Sequence, residues 1–187
     1  MLIDLTIEVT PKLREQALTN EKKTVDGHIA THFDIMDKEF PLEYVKRQAI
    51  VFNVSNIEEN KIKIENIDLD KIKENMFVGF YTGFLKKFGY GTKQYFNEHP
   101  QLSKDLINRL LDEKISIIGI DFVGIRRRKE HSEMDQYCAD RGVFIVENIC
   151  NFEQILKDKK FKQFKAYTFP IKYSEMSGLP CRVVAEV

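Results

Sequence analysis

The sequence runs to 187 residues with 29 basic and 29 acidic side chains, 43% apolar content and a formal net charge of zero. That length suits one well-buried domain and is short for two, and the balanced charge excludes the excess of lysine and arginine by which a surface holds nucleic acid. Three cysteines, an odd number without close pairing, fit a reducing compartment better than a disulfide framework.

In chain order, Leu2 to Val9 is the first segment that reads as a strand, apolar and β-branched with Asp4 near its start. No basic segment with a long apolar core precedes it, so no secretory leader is expected. No stretch approaches the roughly 20 apolar residues of a membrane helix, and a soluble cytoplasmic protein is expected. Lys12 to Asp26 is polar and uneven in pattern, which predicts a loop or flap near the first histidine. Ala49 to Val54 and Phe77 to Thr82 are the next strands, with Asp68 to Asn75 a short, weak helix between them. Gly79, Gly83, Gly89 and Gly91 are too scattered to cradle a phosphate. His99 before Pro100 reads as a turn landmark.

Ser103 to Glu113 places Leu106, Leu110 and Leu111 at helical spacing behind an N-capping serine. After the strand Ile115 to Ile120, Glu130 to Arg141 repeats a helical pattern with Met134, Tyr137 and Cys138, and Gly142 supplies the stop. Val143 to Glu147, Tyr167 to Tyr173 and Cys181 to Val187 complete the strands. The lysine-rich Lys157 to Lys165 segment reads as a solvated amphipathic face. Strands alternating with helices predict an α/β domain built on a mixed sheet with flanking helices.

Chemistry concentrates in His28-Ile-Ala-Thr-His32-Phe-Asp34, since two of the chain's four histidines fall here beside a carboxylate. Roughly 0.1 His-x3-His pairs are expected by chance in such a chain. Imidazole and carboxylate together suit a divalent cation such as Zn²⁺ or Mn²⁺. On a strand His32 and Asp34 share a face at a separation of roughly 6.6 Å, whereas an ideal strand would put His28 roughly 13 Å from His32. One ion can therefore take all three only if the chain bends near Ala30. The alternative is a set of ordinary capping side chains around a turn.

These residues resemble the cyclase family of metal-dependent hydrolases, which includes kynurenine formamidase-like and isatin hydrolase-like proteins. The family signature is His-x-Gly-Thr-His-x-Asp-x-Pro-x-His, and His28 to Asp34 follow it with Ala30 in place of glycine. Further landmarks occur in family order: Ile3 to Thr6, Tyr81-Thr82-Gly83, His99 to Ser103, Gly119-Ile120-Asp121, Ile145 to Asn148 with Asn151, and Pro180 to Ala185. The resemblance spans essentially the full chain. It implies one domain over residues 1–187 with the swivelling β/β/α fold, a divalent Zn or Mn cofactor, a homodimer, and hydrolysis of a carbon–nitrogen amide bond in a small molecule such as an aryl formamide or lactam. It leaves open a catalytically degenerate metal- or ligand-binding protein and a metal-dependent cyclase or dehydratase.

Two departures bear on the site. Lys38 stands where family enzymes use a catalytic histidine, and it can deliver a proton only if its pKa falls well below about 10.4. Otherwise it is a surface lysine in Asp37-Lys38-Glu39. In two-metal family members a histidine stands twelve residues before a glutamate, but counting back from Glu147 gives Asp135, with His131 one helical turn earlier. The resemblance therefore implies a first metal position from His28, His32, Asp34 and Glu147, and a second, weak or empty, that would draw on Asp135 and His131.

Glu147 ends an apolar run where an unpaired carboxylate is costly, a cost that a metal or a backbone hydrogen bond relieves. Thr31 is expected to orient its loop by hydrogen bonding. Arg126 and Arg127 follow the Asp121 strand end, where arginine can hold an anionic substrate group, although a solvated charge run accounts for them as well. Cys138, Cys150 and Cys181 read as small core residues, with no histidine in a recognised motif to make one a nucleophile.

Overall fold

Four apolar runs bounded by turn formers lie side by side at the centre of the protein as parallel strands. The structure is a computed structural model, and the residues it describes are 1–18, 27–57 and 59–187. The strands are β1 (Leu2–Asp4), β2 (His32–Asp34), β3 (Lys46–Asn53), β4 (Lys61–Ile62), β5 (Phe77–Tyr81), β6 (Gln101–Leu102), β7 (Ile117–Ile120), β8 (Phe144–Glu147), β9 (Phe161–Pro170) and β10 (Gly178–Glu186). The helices are α1 (Pro11–Leu18), α2 (Phe84–Phe88), α3 (Lys93–Glu98), α4 (Lys104–Asp112), α5 (Glu130–Ala139) and α6 (Phe152–Leu156).

One eight-stranded sheet runs in the order β1-β10-β2-β8-β7-β5-β3-β9, and β9 also pairs with β10. The sheet therefore closes on itself, with β1 attached outside on β10. The pairs β3–β5, β5–β7 and β7–β8 are parallel, while β2 runs antiparallel to both β8 and β10. A strand covered on both faces is largely apolar, and every residue of β7 and β8 is buried, with Glu147 at the end of β8 the one charged residue among them. The α/β class with a mixed sheet and few flanking helices is thus the observed architecture.

Side chains alternate across each strand, and this divides the core in two. Phe33, Val51, Phe77, Ile117, Val146, Ala166 and Val183 pack together inside the closed sheet. Ile50, Phe52, Val78, Phe80, Ile118, Ile120 and Ile145 point the other way and pack against Tyr95, Leu106, Ile107 and Leu110. The same parity positions the site. Because Phe33 and Val146 face the interior, their neighbours His32, Asp34 and Glu147 project to the helix side, where α5 packs on β8.

Several boundaries differ from those read in the sequence. The first strand ends at Asp4, not Val9, because the Asp4 carboxylate accepts the Thr6 amide at 3.1 Å and Thr6 Oγ1 takes up the Val183 amide at 2.8 Å, replacing the ladder. Lys12 to Asp26 begins as helix α1, with proline at its first position; residues 19–26 lie outside the described residues. Asp68 to Asn75 holds only a single 3₁₀ turn, Leu69–Lys71. The lysine-rich segment is partly strand: β9 starts at Phe161, and Lys165, on the opposite face, stands between the buried Phe164 and Ala166. Ser103 caps α4 by accepting the Leu106 amide at 3.2 Å. No helix among the described residues is long and apolar enough to cross a membrane.

Candidate metal centre

The register of three elements assembles the site. His32 on β2 lies opposite Glu147 on β8, so the two side chains share a face. From α5, which covers that face, Asp135 points inward and is buried, with His131 one turn before it. His28 comes from the turn ahead of β2. That turn bends at Ala30, whose φ of 54° is left-handed, and the bend brings the His28 and His32 rings to 4.9 Å between centroids.

Two groups of ligand-type atoms result. His28, His32 and Asp34 form one, and Asp34, His131 and Asp135 the other, with all the atoms of each group within 4.8 Å of one another. Asp34 belongs to both. Its Oδ1 lies 2.9 Å from His28 Nδ1 and 3.6 Å from His32 Nε2. His131 Nε2 lies 3.1 Å from both Asp135 Oδ2 and Glu147 Oε1, and Glu147 Oε2 is 3.6 Å from His32 Nε2. Glu147 thus touches an imidazole of each group. His28 Nε2 is 3.0 Å from the exposed Ser177 hydroxyl. The distances of 3.6 Å are too long for good hydrogen bonds.

The electrostatics of this nest are unbalanced. Asp34, Asp135 and Glu147 are each at most 3% exposed. Burial pushes the Asp34 carboxyl upward, but the His32 charge and the hydrogen bond from His28 outweigh it and hold Asp34 well below the ordinary carboxylate range. Burial, reinforced by the Asp34 charge, drives Asp135 and Glu147 well above that range. Burial pulls His32 down, and the Asp34 and Glu147 carboxylates more than reverse this. Asp34 Oδ2 and Asp135 Oδ1 are buried without a hydrogen-bond partner, an arrangement that demands a reason. A divalent cation fits both observations, since it neutralises gathered carboxylates and coordinates the orphaned oxygens.

Other expected residues are engaged elsewhere. Lys38 Nζ pairs with Asp140 at 2.8 Å and Asp37 at 3.1 Å, and these partners raise its pKa, the reverse of what a proton donor at that position needs. Arg126 bonds Glu130 and the Leu102 carbonyl, and Arg127 bonds the His99 and Glu98 carbonyls, so both guanidinium groups brace the local backbone in place of an open anion site. His99 is buried, its Nδ1–H donating to the Pro100 carbonyl at 2.8 Å, as fits a turn. Burial pushes the Cys138 thiol up to about 12 and Cys150 up to about 11, leaving neither a ready nucleophile.

Thr31 does orient its loop: its hydroxyl donates to the Asn148 carbonyl at 2.8 Å and accepts the Ile7 amide at 2.9 Å. The polar groups around Ala30 come from far along the chain, and sequence reasoning assigned none of them a role at the site. The Ala30 amide donates to Tyr90 OH at 2.9 Å, while its carbonyl accepts His32 Nδ1–H at 2.9 Å and Asn148 Nδ2 at 2.7 Å. Asn148, next to Glu147, is itself left-handed with φ 59°, a conformation asparagine tolerates; that tolerance was the one available signal.

A family model described as "Putative cyclase" matches residues 3–126. Comparison with curated protein sequences gives no match. Among solved structures, isatin hydrolase A from Ralstonia solanacearum aligns with a TM-score of 0.78 at 14% identity, covering 100% of this chain and 92% of that one. Isatin hydrolase A from Labrenzia aggregata, bound to benzyl benzoate, gives 0.74 at 16% identity over 100% and 93%. A predicted metal-dependent hydrolase from Bacillus stearothermophilus gives 0.71 at 20% identity over 99% and 97%. At these identities the likeness is one of fold.

Proposed function

The chain belongs to the putative cyclase family, and from that premise we propose that it is a metal-dependent hydrolase of carbon–nitrogen amide bonds in small molecules, of the formamide or lactam class. The observation that carries this reading is the pair of ligand clusters sharing Asp34, each with a buried carboxylate oxygen that lacks a partner. His28, His32 and Asp34 would hold one ion; Asp34, His131 and Asp135 would hold a second, with Glu147 in reach of both. A divalent ion there lowers the pKa of a coordinated water to about 7 and polarises a carbonyl oxygen. The imidazole-rich first cluster suits Zn²⁺, whereas the second, with two carboxylates, suits a harder ion such as Mn²⁺.

The residues also set the direction of approach. His32, Asp34 and Glu147 are nearly sealed, and Asp135 is buried with them, while the side chains of His28 and His131 are 28% and 32% exposed. Substrate therefore enters past the two partly open imidazoles, with the carboxylates behind. Lys38 takes no part in proton transfer in this reading, because its ammonium is held by Asp37 and Asp140.

The engagement of Lys38 favours one second reading, a metal-binding protein that has lost turnover along with the catalytic histidine. Zn²⁺- and Mn²⁺-loaded protein assayed on aryl formamides, lactams and lactones, each with a chelated control, separates the two. Amide hydrolysis abolished by the chelator supports the hydrolase; tight metal binding without turnover of any amide supports the second reading.

A further inference from the structure

We propose that Asn148, reinforced by Tyr95, is the positioning residue that presents the His32 imidazole to the metal, a role that rests on the metal-dependent reading above. Ala30 takes up a backbone conformation that alanine rarely adopts. The family signature has glycine at this position, and glycine reaches the left-handed region freely; alanine does not. Here Ala30 sits at φ 54° all the same, so something must hold it. Tyr90 OH accepts its amide at 2.9 Å and Asn148 Nδ2 donates to its carbonyl at 2.7 Å.

That carbonyl also decides the state of His32. A carbonyl only accepts, so the 2.9 Å contact with His32 Nδ1 requires a proton on Nδ1. In the neutral ring this leaves the Nε2 lone pair pointing at Asp34 and Glu147, the nitrogen that would ligate. Asn148 must present nitrogen, not oxygen, to Ala30. The Ala30 carbonyl requires that choice, and the Tyr95 hydroxyl, which burial keeps protonated, reinforces it by donating to Asn148 Oδ1 at 2.7 Å. Tyr95 and Asn148 are both almost fully buried, and the Tyr90 and Tyr95 rings pack at 5.7 Å between centroids. The segment from Tyr90 to Tyr95 thus rests on the peptide that aims His32. Asn148 also connects the two sides of the site in the chain, following Glu147 directly and accepting Thr31 Oγ1 at its carbonyl.

The test uses Tyr95→Phe, which removes one hydroxyl from an otherwise intact core, and Asn148→Gly, which keeps the left-handed backbone accessible. Zn²⁺ affinity is measured by competition with a chromophoric chelator, and the His32 tautomer by ¹⁵N NMR of the apoprotein. Both variants are expected to bind Zn²⁺ roughly 10–100-fold more weakly and to lose the pure Nδ1–H tautomer. Ala30→Gly in the Tyr95→Phe background is expected to recover part of the affinity. Affinities within twofold of wild type, an unchanged tautomer, or no recovery by Ala30→Gly would overturn the proposal. Should the wild type bind no Zn²⁺, the metal-dependent reading fails separately, and the tautomer still reports on the network. If Asn148→Gly does not fold, Tyr95→Phe carries the test.

Discussion

Replacing His99 with asparagine isolates one buried imidazole as a source of pH-dependent stability. His99 is 3% exposed and stacks on Phe122 at 5.8 Å between centroids. Burial lowers its pKa from 6.5 to about 4, assisted by the charges of Arg127 and His131 and opposed by the bond to the Pro100 carbonyl. Between those two values the unfolded chain binds a proton that the folded chain refuses, so stability falls as pH drops through 6.5 toward 4. Each unit of pKa displacement is about 1.4 kcal/mol. The displacement from 6.5 to about 4 therefore amounts to about 3 kcal/mol, fully present above pH 6.5 and lost by pH 4. Asparagine keeps a donor for the Pro100 carbonyl but does not titrate, and its loss of stacking is independent of pH. Urea unfolding of wild type and His99→Asn, both with chelator present, should show the wild type losing about 3 kcal/mol more than the variant between pH 7 and pH 4. Parallel curves across that range would refute the reasoning, because they would mean that His99 is protonated as easily folded as unfolded.

Asp34→Asn should abolish binding of both ions while the fold survives, because Asp34 alone belongs to both clusters; metal analysis beside a thermal melt checks this, and full metal retention would count against the whole site. Gly119→Ala should destabilise the protein by about 1–3 kcal/mol without touching metal affinity, since the new methyl group would run into the Phe77 ring and Ile149; denaturant unfolding reads the effect. A homodimer is expected at micromolar concentration, motivated by the place of β1 at the end of the sheet and by its exposed Leu2, and sedimentation showing only monomer would remove it.

What the sequence revealed of the site depended on distance along the chain. His28, His32 and Asp34 lie within seven residues, so their chemistry and the need for a bend at Ala30 were visible directly. Asp135 entered only through the family pattern, and Glu147 through that pattern and the cost of a carboxylate at the end of an apolar run, because no local signal places β8 and α5 beside β2. The second cluster was expected to be weak with His131 a turn away, and the packing of α5 on β8 brings that imidazole to 3.1 Å from both carboxylates. Lys38 was ambiguous because its partner Asp140 lies about a hundred residues downstream. In the fold, β9 was read as starting too late because the lysines before Tyr167, at 162 and 165, mask the buried Phe164 and Ala166 among them. Helices α2, α3 and α6 were missed for a different reason: at five or six residues each they are too short for a helical period to register.

The central claim, that the nest of imidazoles and carboxylates around Asp34 exists to hold divalent metal, is tested most directly by counting ions. Apoprotein titrated with Zn²⁺ and with Mn²⁺, followed by elemental analysis after desalting, should retain one tight equivalent of Zn²⁺ per chain and take up a second, weaker equivalent that favours Mn²⁺. Folded protein that retains neither ion at micromolar concentration would contradict the account.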